Sequence, residues 1–124
     1  MADPVKVVIA DDSELFCTAL EALLEPEPQI DVIGRAADGA EAIRLAEEVD
    51  PEVILMDLSM PVVDGFEATE RLSRERPDIK VVVLTGSLDE GDAIRAREAG
   101  AAGYVTKDQM ATELVDAVLT AASL

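Results

Sequence analysis

Val53-Ile54-Leu55-Met56-Asp57-Leu58-Ser59-Met60-Pro61 carries more topological information than any other part of the chain. Four apolar residues run into a single aspartate, and a proline follows four positions later. An unbroken apolar run of this kind reads as a strand buried on both faces, the type found in parallel sheets. Asp57 then lies at or just past the carboxyl end of that strand. In open α/β sheets this edge is where ligands bind. A carboxylate delivered there is a candidate nucleophile or metal ligand. The plainer reading is a turn aspartate, since aspartate is common in turns.

Similar runs recur at 5–10, 30–36 and 80–85, with a shorter one at 103–106. Valine and isoleucine dominate the runs at 5–10 and 80–85, as strands prefer. Helical patterns separate the runs. After Asp11-Asp12-Ser13, a helix over about 14–25 takes Ser13 or Asp12 as its cap and Phe16, Leu20, Leu23 and Leu24 as its inner face. Pro26 and Pro28 stop it. Asp38-Gly39-Ala40-Glu41 resembles a capping box and opens a helix to about 49, with Ala42, Ile43 and Ala46 inward. Asp64-Gly65-Phe66-Glu67 repeats the pattern for a helix over about 65–76, which buries Phe66, Ala68 or Thr69, and Leu72. Ser87 and Glu90 predict a capping box for a fourth helix over about 89–100. Ile94 is its one bulky anchor, beside Ala93, Ala96 and Ala99, and Gly100 suits the position after its end. A last helix from 108 or 109 to about 122 aligns Met110, Leu114, Val118 and Ala121. This alternation predicts an α/β fold, a parallel sheet with helices on both faces and right-handed crossovers. No linker, repeat or biased tract divides the 124 residues, so one domain over 1–124 is expected.

The charge balance narrows the function. The chain has 27 acidic and 10 basic residues, a formal net charge of −17. Such a field repels nucleic acid and anionic membrane, because phosphate binding needs clustered Lys and Arg. This domain by itself is expected to bind neither. Cys17 is the single cysteine, so no internal disulfide forms and a reducing cytoplasm is expected, with Cys17 as inert packing. No segment approaches the roughly 18 apolar residues of a membrane span, and no signal-peptide pattern opens the chain. Histidine is absent. That excludes a histidine base, a His-ligated zinc site and a phosphohistidine on this chain.

In a parallel sheet every carboxyl end points to one edge. Asp11 and Asp12, Asp57, Thr85 and Lys107 would all meet there. Separately each has an ordinary explanation: a helix-start pair favoured by the macrodipole, a turn, a strand end, a solvated lysine. Their convergence on the ligand-binding edge favours one shared site. Three carboxylates in one pocket each ionise from a reference pKa of roughly 4 and repel one another. One then stays protonated, or a cation joins them. An all-oxygen donor set without histidine or a nearby cysteine predicts Mg2+, which keeps positions for phosphate oxygens. A lysine to pair with a phosphate oxygen and a threonine hydroxyl to donate to another complete a pocket for a phosphoryl group on a carboxylate. Attack by an aspartate oxygen would give an acyl phosphate, with the metal and Lys107 offsetting charge on the equatorial oxygens.

Asp11-Asp12, Asp57, Thr85, Tyr104 and Lys107 on a (βα)5 pattern resemble the receiver domain of two-component response regulators, over essentially the whole chain. The resemblance implies a flavodoxin-like, doubly wound, five-stranded parallel sheet in the order 2-1-3-4-5. It implies Asp57 as phosphoacceptor, Asp12 as a direct Mg2+ ligand, Asp11 holding the metal largely through water, and the backbone carbonyl of Ser59 as a further ligand. Lys107 matches the phosphate-binding lysine, and Thr85 and Tyr104 match the switch pair. A phosphoryl group on Asp57 would draw Thr85 inward and leave room for Tyr104 to fill from the surface. The fourth helix, fifth strand and fifth helix would form the responding face, and a homodimer through that face is compatible with the resemblance. The implied partner is a sensor histidine kinase or phosphotransfer protein. Residues 103–108 further resemble the LuxR-type branch, whose receivers precede a helix-turn-helix DNA-binding domain, which implies transcriptional output. Many receivers carry a cis proline after the lysine. Here Asp108 stands, and a non-proline cis bond costs about 3 kcal/mol.

The expectation is a phosphorylation switch, catalytic only upon itself. A Mg2+-dependent aspartyl-phosphate phosphatase would usually carry a second aspartate two positions after the nucleophile, where this chain has Ser59, and no cap segment is present. A flavin-binding module would need a phosphate cradle in the first strand–helix turn, where Asp11 and Asp12 repel phosphate. A stand-alone phosphorelay receiver without DNA-binding output is a further alternative. A receiver that signals without phosphate is disfavoured by the complete pocket.

Overall fold

The valine-rich runs become strands and the segments between them helices, in regular alternation. Residues 3–124 are described by a computed structural model; the first two positions of the expected 1–124 domain lie outside the described residues. Along the chain come β1 (Val5–Ala10), α1 (Glu14–Leu24), β2 (Ile30–Ala36), α2 (Gly39–Val49) and β3 (Val53–Met56). They are followed by α3 (Gly65–Glu75), β4 (Lys80–Thr85), α4 (Glu90–Glu98), β5 (Gly103–Thr106) and α5 (Met110–Ala122). A short 3-10 turn over Lys107–Gln109 leads into α5. The strands form one parallel sheet in the order β2-β1-β3-β4-β5.

Side chains alternate across the sheet, and each face has its own core. Val7, Ile9, Val53, Leu55, Val82, Leu84 and Val105 pack under α1 and α5, against Cys17, Leu20, Leu24, Leu114 and Val118. Val8, Ala10, Ile54, Met56, Val81 and Val83 pack under α2, α3 and α4, against Ala42, Ala46, Ala68, Leu72 and Ala96. Both cores are aliphatic, and each fully buried Val, Leu or Ile contributes about 1.5–3 kcal/mol. At the β1–β2 ladder the register shifts between Val7 and Val8, leaving Ile33 as an extra residue in β2.

Ser13, Asp38 and Asp64 cap α1, α2 and α3, each accepting from the backbone N–H three residues on. The fourth helix departs from its expected box. Asp89 caps it through the Gly91 N–H, while the Ser87 hydroxyl only accepts from the Asp89 N–H, 3.2 Å away. Ile94 does not anchor this helix; it is 58% exposed. Ala96 is fully buried and Ala93 half-buried instead. Small residues let α4 lie close to its neighbours, and that register turns Ile94 outward. The end of α4 is firm. Ala101 N–H reaches Ala96 O and Gly100 N–H reaches Arg97 O, both at 3.0 Å. With Gly100 at φ 106° this is a Schellman close, and it packs on Ser73 of α3. On the opposite edge of the sheet from the strands' carboxyl ends, the Arg76 guanidinium joins Asp78, Asp50 and the Ala46 carbonyl. Every peptide bond among the described residues is trans, Lys107–Asp108 included.

Candidate functional site

The sheet ladder itself brings two of the aspartates together. Asp11 N–H continues pairing to Ala36 O at 3.0 Å, and Asp57 N–H to Ala10 O at 2.9 Å. Asp57 is thereby held beside the end of β1, one residue from Asp11. Carboxylate oxygens of Asp11, Asp12 and Asp57 all lie within 4.8 Å of one another. Asp11 and Asp57 are buried, at 5% and 8% exposure, and Asp12 is exposed.

The three differ in what they already hold. Asp11 accepts from the Ser13 N–H at 2.9 Å on one oxygen and from Lys107 Nζ at 3.2 Å on the other. Asp12 accepts no side-chain hydrogen bond among the described residues. Lys107 Nζ is also 3.8 Å from Asp57 Oδ1. Burial, then the charge of Asp11, push the Asp57 carboxyl up from its ordinary 3.8 to about 6; Lys107 and the Leu58 N–H pull it down, and Asp12 adds to the rise. A carboxylate cluster that resists its own ionisation, offers only oxygen donors and includes one carboxylate without a partner fits a hard divalent cation.

Thr85 ends β4, the neighbour of β3, and is buried with its hydroxyl oxygen accepting from the Ser87 N–H at 3.1 Å. An open cleft of about 490 Å³ passes Ser59, Thr85, Ser87, Asp92 and Arg95, from the site toward α4. Tyr104 lies back from the edge, paired with Val83, on the face that α4 covers. Its position differs from the expected one. The hydroxyl is already buried, without a hydrogen-bond partner among the described residues, beside the thin alanine face of α4. Burial, with Asp92 and Asp89 nearby, raises its pKa. The sequence placed Asp11, Asp12, Asp57, Thr85 and Lys107 correctly at one edge. It missed Phe16, whose ring lies under Lys107 Nζ at 3.9 Å from the centroid. Apolar spacing assigns Phe16 to the core alone; its place in the first turn after Asp11-Asp12 is the signal that it faces this edge. Phe66, expected to be buried, is half-buried beneath the Arg95 guanidinium at 3.9 Å.

A doubly wound sheet with an acidic, lysine-bearing pocket at its carboxyl edge defines the class: a flavodoxin-like α/β protein. The model for the response regulator receiver domain matches residues 7–119, and the chain belongs to that family. It is 45% identical over 117 residues to the transcriptional regulatory protein LiaR of Bacillus subtilis, covering 94% of this chain and 56% of that one. To the response regulator GacA of Pseudomonas aeruginosa it is 41% identical over 114 residues, covering 92% and 53%. The chain thus spans about half the length of the curated relatives it matches. Among solved structures, a LuxR-family two-component response regulator from Aurantimonas superposes with TM-score 0.92 at 32% identity, covering 97% of this chain and 86% of that one. The response regulator domain of Thermotoga maritima CheB superposes with TM-score 0.90 at 30% identity over 98% of both. No helix among the described residues is long and apolar enough to cross a membrane.

Proposed function

We propose that residues 1–124 form a single receiver domain that takes a phosphoryl group from the phosphohistidine of a sensor histidine kinase or phosphotransfer protein onto Asp57. The observation that carries this reading is the meeting of three carboxylates within 4.8 Å, with Lys107 reaching two of them. An Asp57 oxygen attacks phosphorus, the bond to the donor imidazole breaks, and an acyl phosphate forms. Lys107 pairs with a phosphoryl oxygen, and its contact with Phe16 keeps the ammonium close to the edge. Thr85 accepts from Ser87 and so keeps its own proton to donate. Asp12, Asp57 and the Ser59 carbonyl would hold Mg2+ directly and Asp11 largely through water, and the ion would supply charge neutralisation for the phosphoryl oxygens. The division between Asp12 and Asp11 is supported by their bonding: Asp11 is committed to Ser13 and Lys107, and Asp12 is not. The domain acts as a switch, catalytic only upon itself, in the reducing cytoplasm. Thr85 and Tyr104 link the site to the α4-β5-α5 face, which passes the change to an output domain or to a second copy. Transcriptional control is the output we infer, since the relatives LiaR and DegU bear the name of transcriptional regulatory proteins.

Incubation with acetyl phosphate and Mg2+ should add one phosphoryl group, read by intact mass, and peptide mapping should place it on Asp57. Asp57→Asn should remain folded and unlabelled. Undiminished labelling of that variant would sink the assignment.

A further inference from the structure

The loop from Asp57 to Asp64 carries Ser59, and two backbone contacts hold its ends. Gly65 N–H donates to Leu58 O at one end, and Gly39 N–H donates to Val63 O at the other, both at 3.0 Å. Gly39 is the first residue of α2, a different element that packs beside α3 on the same face of the sheet. The first N–H groups of a helix have no partner within it, and this one is spent on the loop. The approach is closer than any side chain permits. A Cβ on Gly39 would lie 2.1 Å from the Val63 oxygen, 2.8 Å from its carbonyl carbon and 3.0 Å from its Cβ. Gly39 stands in helical backbone, so glycine serves space there and not an unusual φ.

The loop needs such a hold. Val62 has φ 68°, the left-handed region, which a β-branched residue enters only under constraint. Its side chain is 82% exposed, so no packing of its own keeps it there. Such backbone persists where the surroundings over-determine it. The Val63 carbonyl, pinned by Gly39 directly after Val62, provides that constraint.

We propose that Gly39 is a positioning residue for the metal site: through Val63 it holds the loop, and with it the Ser59 carbonyl, in the geometry the cation requires. This rests on the Mg2+ reading above. Partners that orient metal ligands without touching the ion alter affinity on the order of tenfold or more when changed.

The test is calorimetric titration of the metal-free protein with Mg2+, using wild type, Asp12→Ala, Gly39→Ala and Ala40→Gly. Ala40 is exposed on the same first turn, and its change to glycine weakens α2 without touching the loop. Ala40→Gly should melt lower yet bind as wild type does. Gly39→Ala should bind about tenfold more weakly, and its Ser59 and Val62 amide resonances should shift before any metal is added. A folded Gly39→Ala that binds within about twofold of wild type, or whose loop resonances stay in place, overturns the proposal. If Gly39→Ala does not fold, Val62→Gly lets the loop yield. The double variant should then bind more weakly than Val62→Gly alone, and equal binding overturns the proposal. Wild type that binds no Mg2+, or binds it equally well as Asp12→Ala, overturns the metal reading and this proposal with it.

Discussion

Asp57 is less comfortable ionised than any free carboxylate, because folding buries it beside Asp11 and Asp12. Its folded pKa of about 6 lies above the ordinary 3.8, so between those values the folded chain holds more proton than the unfolded one. Stability from this group therefore falls as pH rises through that window, and above it the penalty is complete, on the order of 2–3 kcal/mol. Asp57→Asn should raise the melting temperature of the metal-free protein at about pH 7, and the gain should fade toward about pH 4. An equal gain at both pH values would mean that charge repulsion is not the cause. The other site residues show what a sequence reveals at this level. Asp11, Asp12, Thr85 and Lys107 were legible because strand ends in a parallel sheet share an edge, which is a topological fact. The Phe16–Lys107 contact, the Ser87–Thr85 bond and the pinning of Val63 by Gly39 were not. They depend on side-chain directions and loop paths that periodicity does not encode.

Among the helices, α4 is the one the sequence misjudged. Apolar spacing named Ile94 as its anchor because no other large residue was available. The register instead follows buried Ala96 and Gly100, and Gly100 approaches Ser73 of α3 where a side chain would be excluded. Ile94→Ser should therefore change unfolding free energy in urea by less than about 0.5 kcal/mol. Leu114→Ala in α5, where the side chain is fully buried, should cost about 2–5 kcal/mol. A loss of that larger size at Ile94 would restore it as an anchor. With one buried alanine along its length and a firm close at its end, α4 is fixed at the Ser73 side and lightly held at the Asp89 side. Tyr104 adds to the looseness. A buried hydroxyl left without a partner costs about 1–3 kcal/mol, which a rearrangement of α4 that gave it one would recover. The strands were far easier to read, because apolar runs between turn residues leave few alternatives. The bounds of 5–10, 30–36, 80–85 and 103–106 match β1, β2, β4 and β5.

The molecule as a whole is a polyanion, with 27 acidic against 10 basic residues. Its ion pairs lie largely between exposed or half-exposed groups, such as Arg44–Glu48 and Arg74–Glu70, and pairs of that kind are worth about 0–1 kcal/mol. They leave most of the self-repulsion in place. Raising NaCl to about 0.5 M should therefore raise the melting temperature, since screening acts within a few ångströms at that ionic strength. A melting temperature that falls with salt would show that the pairs outweigh the repulsion.

The extra residue in β2 has a bearing on how copies of the chain behave together. β2 is an outer strand, and an outer strand with free N–H and C=O groups is a template on which another chain can add. Ile33 breaks the spacing of that template by inserting an unmatched residue, and bulges twist an edge away from regular pairing. Exposed Asp31 and Arg35 flank it, with Arg35 tied down by Glu21 at 2.8 Å. The opposite rim, β5, is only four residues long. Neither rim of the sheet thus offers a long, regular template for fibril-like growth.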